Sequence, residues 1–371
     1  MKYFCSNNGH NVSEDLNSPG DFIETLSILS PGDIVYLYPG EYFFNKTINI
    51  NCDNIKITNY TKSVTYNKNL VIFNFKDIPY ICSDYDRNLT SYYSDNGNGL
   101  NIKCNYCEIS NIIIKCAAFR GLENFGNFNV FENIETCYNC DCGHSQQGSN
   151  NIIVNCYSHH NFDYRFIKSG KINYGYNSDG FADKLHNGSG NIFINCTSEY
   201  NGDDGFDFFQ RETPENFPTL LKYCISLNNG LKLLDKSLNE RLIEDDEYFN
   251  KYDIKNYPNY GNGNGFKLGG VHSTNDVNYI NNHNINLINC IALSNKRYGF
   301  SQNHNRGIIK LENCQACNND INYSFIDDKT HIYIKNCFSL PQRNNKIVKN
   351  NIIENIVSFG NLITYKDTRN L

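Results

Sequence analysis

The stretch Asn150–Asn161, NNIIVNCYSHHN, decides the fold because it recurs. GNIFINCTSEYN at 190–201, NINLINCIALSN at 284–295, IIKLENCQACNN at 308–319 and IYIKNCFS at 332–339 share its pattern of alternating aliphatic or aromatic residues, then Asn-Cys, then a polar turn. Cysteine separations set the period: 21 from Cys116 to Cys137, 19 from Cys137 to Cys156, 24 from Cys290 to Cys314 and 23 from Cys314 to Cys337. Short period-2 strands repeating at this interval cannot bury their apolar faces alone and must stack on one another. The expectation is an all-β chain, a right-handed parallel β-helix with coils of about 20–24 residues. A leucine-rich repeat of similar length would need a Leu frame that this sequence lacks. The repeated Asn is read as an asparagine ladder between coils.

Composition is consistent with a large buried core. Hydrophobic residues make up 40% of the 371, with 27 Tyr, 24 Phe and no Trp. Length alone would suggest two or three domains at roughly 100–200 residues each, but the repeats argue for one domain over 1–371. The net charge of −6, from 33 basic and 39 acidic residues without a basic run, argues against binding nucleic acid through its phosphates. No apolar run approaches the roughly 18 residues of a membrane span, so no membrane is expected as a partner. The first residues, MKYFCSNNGH, lack the apolar core of a signal peptide.

The 16 cysteines would ordinarily suggest disulfides or zinc. Cys156, Cys196, Cys290, Cys314 and Cys337, each after an Asn, end short alternating apolar segments, which fits free thiols packed in a stacked core. The cluster CYNCDC (Cys137, Cys140, Cys142) is the best candidate for a metal or a disulfide.

Two stretches break the period: an excursion near 160–178, and a charged segment at 231–260 that looks like an inserted, helix-containing loop. Near the start, Phe22, Leu26 and Leu29 behind Ser18 and Asp21 mark a short amphipathic helix, about 18–30, that could cap the first coil. The following DIVYLYPGEYFF, 33–44, reads as the first strand pair.

Four Gly-Phe dipeptides align successive coils: Gly180-Phe181-Ala182, Gly205-Phe206-Asp207, Gly265-Phe266-Lys267 and Gly299-Phe300-Ser301. In register, Ala182, Asp207, Lys267 and Ser301 share one face at about 4.8 Å spacing. Asp179 then lies beside Asp204, and Asp203 can join them only at a bend, for which Gly205 would supply backbone freedom. Four carboxylates (Asp179, Asp203, Asp204, Asp207) gathered so closely require a cation. Oxygen-only ligands favour Ca²⁺. Lys267, one coil away in the glycine-rich GNGNGFKLGG, is the candidate base, since nearby positive charge and partial burial both lower a lysine pKa. The glycines would let a polymer lie against the backbone. These parts suit abstraction of the proton α to a sugar carboxylate.

The segments NSDGFADKLHNGSGN, NGDDGFDFF and GNGNGFKLGG, in this order, resemble polysaccharide lyase family 9, the right-handed β-helix pectate lyases and their relatives. The likeness extends over SPGDIVYLYPGEYFF, SNNIIVNCYSHHNFD and YGFSQNHNRGIIKLENC. It implies Asp179, Asp203, Asp204 and Asp207 as Ca²⁺ ligands, Lys267 as base, and cleavage of polygalacturonate by β-elimination to 4,5-unsaturated oligouronides. It also implies secretion, and as partner an acidic plant cell-wall polysaccharide, pectate (homogalacturonan) or rhamnogalacturonan I, acted on by a monomer. The segment before Lys267 departs from the family in its length. Lys184, His272, Arg297 and Arg306 lie near the motifs and could bind uronate carboxylates; Asn303 and Asn305 belong to a turn resembling a family segment. Two rivals remain at this level: a polygalacturonase-type hydrolase, suggested by NSDG and GDDG but missing the Gly-His-Gly and Arg-x-Lys elements of those enzymes, and a non-catalytic carbohydrate-binding β-helix.

Overall fold

The computed structural model describes residues 1–60, 70–78, 97–163, 175–185, 188–209, 217–230, 261–270, 282–326, 331–340 and 345–348, and the backbone of short strands at 167–168, 171–172, 352–353, 356–358 and 365–366. The expected insertion at 231–260 and the candidate His272 lie outside these residues. Among the described residues, strands form two long parallel sheets, of 21 and 11 strands, and one two-stranded antiparallel hairpin. Each strand pairs with its equivalent one coil away. Val130 stands opposite Glu108 below and Ile152 above, 22 residues each way. Ile285 pairs with Ile309 at 24, and Ile309 with Ile332 at 23. The hairpin, Ile167–Lys168 against Lys171–Ile172, accounts for the 40-residue step between coils at 152 and 192.

The two Asn positions of each repeat do different work. Asn155, Asn195, Asn289, Asn313 and Asn336, just before the cysteines, adopt left-handed backbone with φ of 51–54°, a conformation Asn tolerates better than most side chains. The longest ladder is built by the Asn that ends each repeat. Asn139, Asn161, Asn201, Asn229, Asn295 and Asn319 are buried, and each donates both its backbone and side-chain N–H to the side-chain oxygen of the next; Asn319 passes the chain to Asn322. Every rung satisfies polar groups that burial would otherwise strand.

Inside, Phe181, Phe206, Phe266, Phe300 and Tyr323 stack in one column with ring centroids 4.9, 4.8, 4.8 and 5.3 Å apart. Each fully buried ring contributes roughly 1.5–3 kcal/mol. Among the described residues the fifteen cysteines are all free thiols, thirteen of them buried, and Cys137, Cys140 and Cys142 form no disulfide.

The amino-terminal region differs in two details from the sequence reading. The helix is one short segment, Phe22–Leu26, capped by the Asp21 carboxylate accepting from the Glu24 N–H; it closes in i→i−3 bonds from the Ser27 and Ile28 N–H groups to the Glu24 and Thr25 carbonyls. Strand Ile34–Leu37 is not the first, because Lys2–Cys5 already pairs with it. Nor do Ile34–Leu37 and Gly40–Phe43 pair with each other; they join Lys56–Asn59 and Val71–Asn74. Among the described residues no helix is long and apolar enough to cross a membrane.

Candidate active site

The Gly-Phe strands align in the expected register. Ala182 lies opposite Asp207, Asp207 opposite Lys267, and Lys267 opposite Ser301. Phe points into the column and the following residue points out, as strand alternation requires. The glycine before each Phe is demanded by space rather than by conformational freedom. A Cβ on Gly205 would stand 2.0 Å from Ser226 Oγ and 2.7 Å from the Gly265 carbonyl oxygen, and one on Gly180 2.1 Å from Ser198 Oγ. The chain here passes directly against the facing sheet. Gly205→Ala is expected to lower stability by roughly 1–3 kcal/mol through overpacking, read from the shift of a urea unfolding midpoint. The glycines at 261, 265 and 269 have the same cause: a Cβ on any of them would come within 3 Å of neighbouring coils; Gly263 and Gly270 are as closely confined and also take φ of +72° and +137°, which side-chain-bearing residues rarely adopt. They serve packing of the protein itself.

Asp179, Asp203 and Asp204 bring carboxylate oxygens within 4.8 Å of one another. Backbone amides hold them there. Asp179 Oδ1 accepts from the Asp204 N–H at 3.0 Å, and Asp203 from the N–H groups of Asn177 and Asn262 at 2.8 and 2.5 Å. Asp204 Oδ1 accepts from the backbone and side-chain N–H of Asn264, both at 2.7 Å. All four aspartates are buried, with at most 2% exposure. Asp207 is tied elsewhere: its Oδ1 accepts from the Phe209 N–H, and its Oδ2 faces Lys184 Nζ at 3.0 Å and Lys267 Nζ at 3.3 Å.

Burial raises the Asp179 carboxyl well above the ordinary value, against the pull of Lys184. Burial likewise lifts Asp204, opposed by Lys267 but reinforced by Asp203 and Asp207, to about 7. Burial pushes Asp207 the same way, but Lys184 and Lys267 overcome it and hold that carboxyl below its ordinary value. Asp204 Oδ2 is buried and receives no hydrogen bond; Lys267 Nζ lies 3.0 Å away but is not directed at it. Three converging carboxylates, oxygen donors only, one of them with an oxygen left unbonded, fit a hard divalent cation such as Ca²⁺.

The cluster already carries two ammonium groups. Lys184, expected among substrate contacts, is instead 6% exposed and bridges Asp179 Oδ2 at 2.5 Å and Asp207 Oδ2. That makes it an internal counter-charge. Only its position five residues after Asp179, at the end of the strand Phe181–Asp183, hinted at this. Lys267 sits above the Phe209 ring, 5.1 Å from its centroid. Burial lowers the pKa of Lys267, but Asp204, Asp207, Asp203 and Asp179 more than offset it, and the net direction is upward. The sequence reading weighed burial and a cation; with the carboxylates alone around it, attraction to them wins.

Lys267 opens onto a cleft of about 320 Å³, also lined by Tyr176, Phe209, Asn264, Arg297, Tyr298 and His304. Arg297 is exposed there, its guanidinium over the Tyr298 ring at 4.6 Å. Arg306 is half-buried and does not line this cleft. Asn305 is structural: its side chain donates to the carbonyls of Leu268 and His283 and accepts from the His283 and Gly307 N–H groups. Asn303 donates to the Gly269 carbonyl at the cleft edge. Tyr176, Phe209 and His304 were not singled out from sequence, since isolated aromatics in loops carry no periodic signal.

Residues 3–351 match the family model described as Pel9A-like, right handed beta helix region. Pectate lyase L of Dickeya dadantii is 27% identical over 336 residues, covering 87% of this chain and 66% of that protein. Pectate lyase PEL9 of Emericella nidulans is 30% identical over 291 residues, 78% of this chain and 65% of its own. The chain therefore spans slightly less than two thirds of these curated relatives. Among solved structures, that of pectate lyase Pel9A superposes with a TM-score of 0.69 at 23% identity, covering 96% of this chain and 78% of the other. One titled rhamnogalacturonan lyase gives 0.71 at 20%, covering 96% and 84%.

Proposed function

The chain belongs to the Pel9A-like right-handed β-helix family, and from that premise we propose that it is a Ca²⁺-dependent polysaccharide lyase that cleaves polygalacturonate by β-elimination. The observation that carries the reading is Lys267 at the mouth of an aromatic-lined cleft, 3.0 and 3.3 Å from carboxylates of a buried acidic cluster. Asp179, Asp203, Asp204 and Asp207 would hold the ion. A calcium there would neutralise the uronate carboxylate and stabilise the charge that develops on it as the α proton leaves.

The chain's own residues supply the rest. Lys267 Nζ takes the C5 proton; the electron pair left behind forms the C4–C5 double bond; the C4–oxygen bond breaks and its pair stays on the departing oxygen. For this the amine must be neutral, and cation charge on Asp204 and Asp207 weakens the hold that keeps it protonated. Arg297, exposed beside the cleft, offers a planar two-pronged donor to a neighbouring uronate carboxylate. Tyr298 and Phe209 give flat apolar surface to sugar rings. A polymer of this kind, found in plant cell walls, places the action outside the cell.

Ultraviolet absorbance of the unsaturated product tests the proposal. With polygalacturonate, absorbance should rise, stop on addition of a chelator and resume with calcium. Accumulating reducing ends without absorbance would replace the lyase by a hydrolase. A signal only on rhamnogalacturonan I would keep the chemistry and change the substrate.

A further inference from the structure

A second cluster of metal-ligating side chains lies away from the cleft, on the 21-stranded sheet, where the strand Val130–Cys137 pairs with Tyr157–His159. Cys137 and Glu135 project from the same face of the first strand, and His159 stands opposite Cys137 on the next coil. Glu135 Oε1 is 3.2 Å from His159 Nε2 and 3.8 Å from Cys137 Sγ, and the three ligand atoms all lie within 4.8 Å of one another. Tetrahedral zinc with ordinary bond lengths to sulfur, nitrogen and oxygen has ligand–ligand edges of about 3.4–3.6 Å. Two of the observed separations, 3.2 and 3.8 Å, lie within a few tenths of an ångström of that range, and the third is under 4.8 Å, within reach of side-chain adjustment.

The support behind the ligands is also in place. His159 is held flat against Tyr157, with centroids 4.2 Å apart, and edge-on to Tyr138 at 5.8 Å. Its other ring nitrogen, Nδ1, lies 2.7 Å from His160 Nδ1. A metal-bound histidine characteristically gives its second N–H to a carboxylate, carbonyl or water; here the His160 nitrogen stands in that place. The ring pair accommodates this with no net change in protons. One arrangement has Nε2–H of His159 on Glu135 and Nδ1–H of His160 on His159. The other has Nε2 of His159 as the ligand, its Nδ1–H on His160, and the His160 proton on Nε2. Cys137 and His159 are 3% and 8% exposed, whereas the Glu135 side chain is 35% exposed, so an ion can enter past Glu135.

We propose that Glu135, Cys137 and His159 form a binding site for a borderline divalent cation, assigned as Zn²⁺, that clamps two successive coils and is chemically distinct from the acidic cluster. A thiolate and an imidazole are poor ligands for calcium and good ones for zinc. On binding, the Cys137 thiol releases its proton to solvent, and a water completes the coordination. The proposal is independent of the lyase reading.

Its test is metal titration of the reduced full chain. Cobalt(II), as a zinc stand-in, should give a thiolate-to-metal charge-transfer band that zinc bleaches and excess calcium does not. Zinc affinity, measured by competition with a chromophoric chelator, should fall by about 10–100-fold in His160→Ala and by at least as much in Cys137→Ser and Glu135→Gln. Glu135→Gln replaces one atom of a side chain that is 35% exposed, so it reports on binding even if Cys137→Ser folds poorly. Zinc should also raise the thermal midpoint of the wild type by mass action and leave that of Glu135→Gln little changed. Cys104 and Cys107, whose sulfurs are 3.2 Å apart, provide the control. The site assignment is overturned if the cobalt band survives Cys137→Ser, if it disappears in Cys104→Ser, or if Asp203→Asn abolishes zinc binding.

Discussion

If the proposed lyase reading holds, Lys267→Ala is expected to lower turnover of polygalacturonate by roughly 10²–10⁴-fold, the range for removing a general base, with calcium binding at least as tight as in the wild type. The two expectations have one source. Lys267 Nζ lies 3.0 Å from Asp204 Oδ2 and 3.3 Å from Asp207 Oδ2, so its ammonium competes with any cation those carboxylates take up. Deleting it removes both the base and the competitor. Lys267→Arg sharpens the test, because arginine keeps the charge and cannot lose its proton near neutrality; it too should be inactive. Initial rates with each variant, beside calorimetric calcium titration, give the answer. Activity within a few-fold of wild type in the alanine variant would remove Lys267 from the chemistry, and recovery by arginine would make its contribution electrostatic.

Lys184→Met in the presence of chelator costs about 3–5 kcal/mol of stability, as expected when one partner of a buried ion pair is removed. Lys184 is 6% exposed and joins Asp179 to Asp207; without it both carboxylates lose their nearest counter-charge inside the fold. The deficit has a pH sign. Burial raises Asp179 well above the ordinary carboxyl value, so the folded state binds a proton that the unfolded state has released above about pH 4. Stability of the variant therefore declines as pH rises through the range above that value and recovers on acidification. If calcium occupies the cluster as proposed, it would supply the missing positive charge, and the variant should gain more from it than the wild type does. Urea unfolding midpoints at two pH values, with and without calcium, measure each part. A variant as stable as the wild type in chelator would show that Lys184 is not the counter-charge that holds the cluster.

Much of this protein is written one coil at a time. The Asn-Cys ends of short alternating strands give the solenoid and its period, and four Gly-Phe dipeptides give the register that sets Asp207 beside Lys267. They are legible because every coil solves the same packing problem, so each side chain is repeated where its neighbours above and below require it. The phenylalanine column and the Asn ladder follow from that repetition. Even so, the longest ladder runs through the Asn closing each repeat, while the Asn before Cys takes the left-handed corner. Both positions look alike in sequence, and only backbone conformation separates them.

Contacts that occur once were not legible. The strand Lys2–Cys5 lies outside the repeat pattern, and its place is fixed only by pairing with Ile34–Leu37. Gly205 reads as a flexible bend, yet it is required by Ser226 Oγ on the facing sheet, 21 residues further along the chain. Lys184 reads as a surface cation and is buried between two aspartates. By itself, then, the sequence determined the coil, its register and the gathering of carboxylates on one face, because those depend on neighbours at a constant interval. Only the tertiary structure decided which charges neutralise which, and that Lys267 is held protonated by the carboxylates around it. Ionisation depends on distances of a few ångströms between groups brought together from separate coils, and at low dielectric such distances outweigh the chemistry of any residue taken alone.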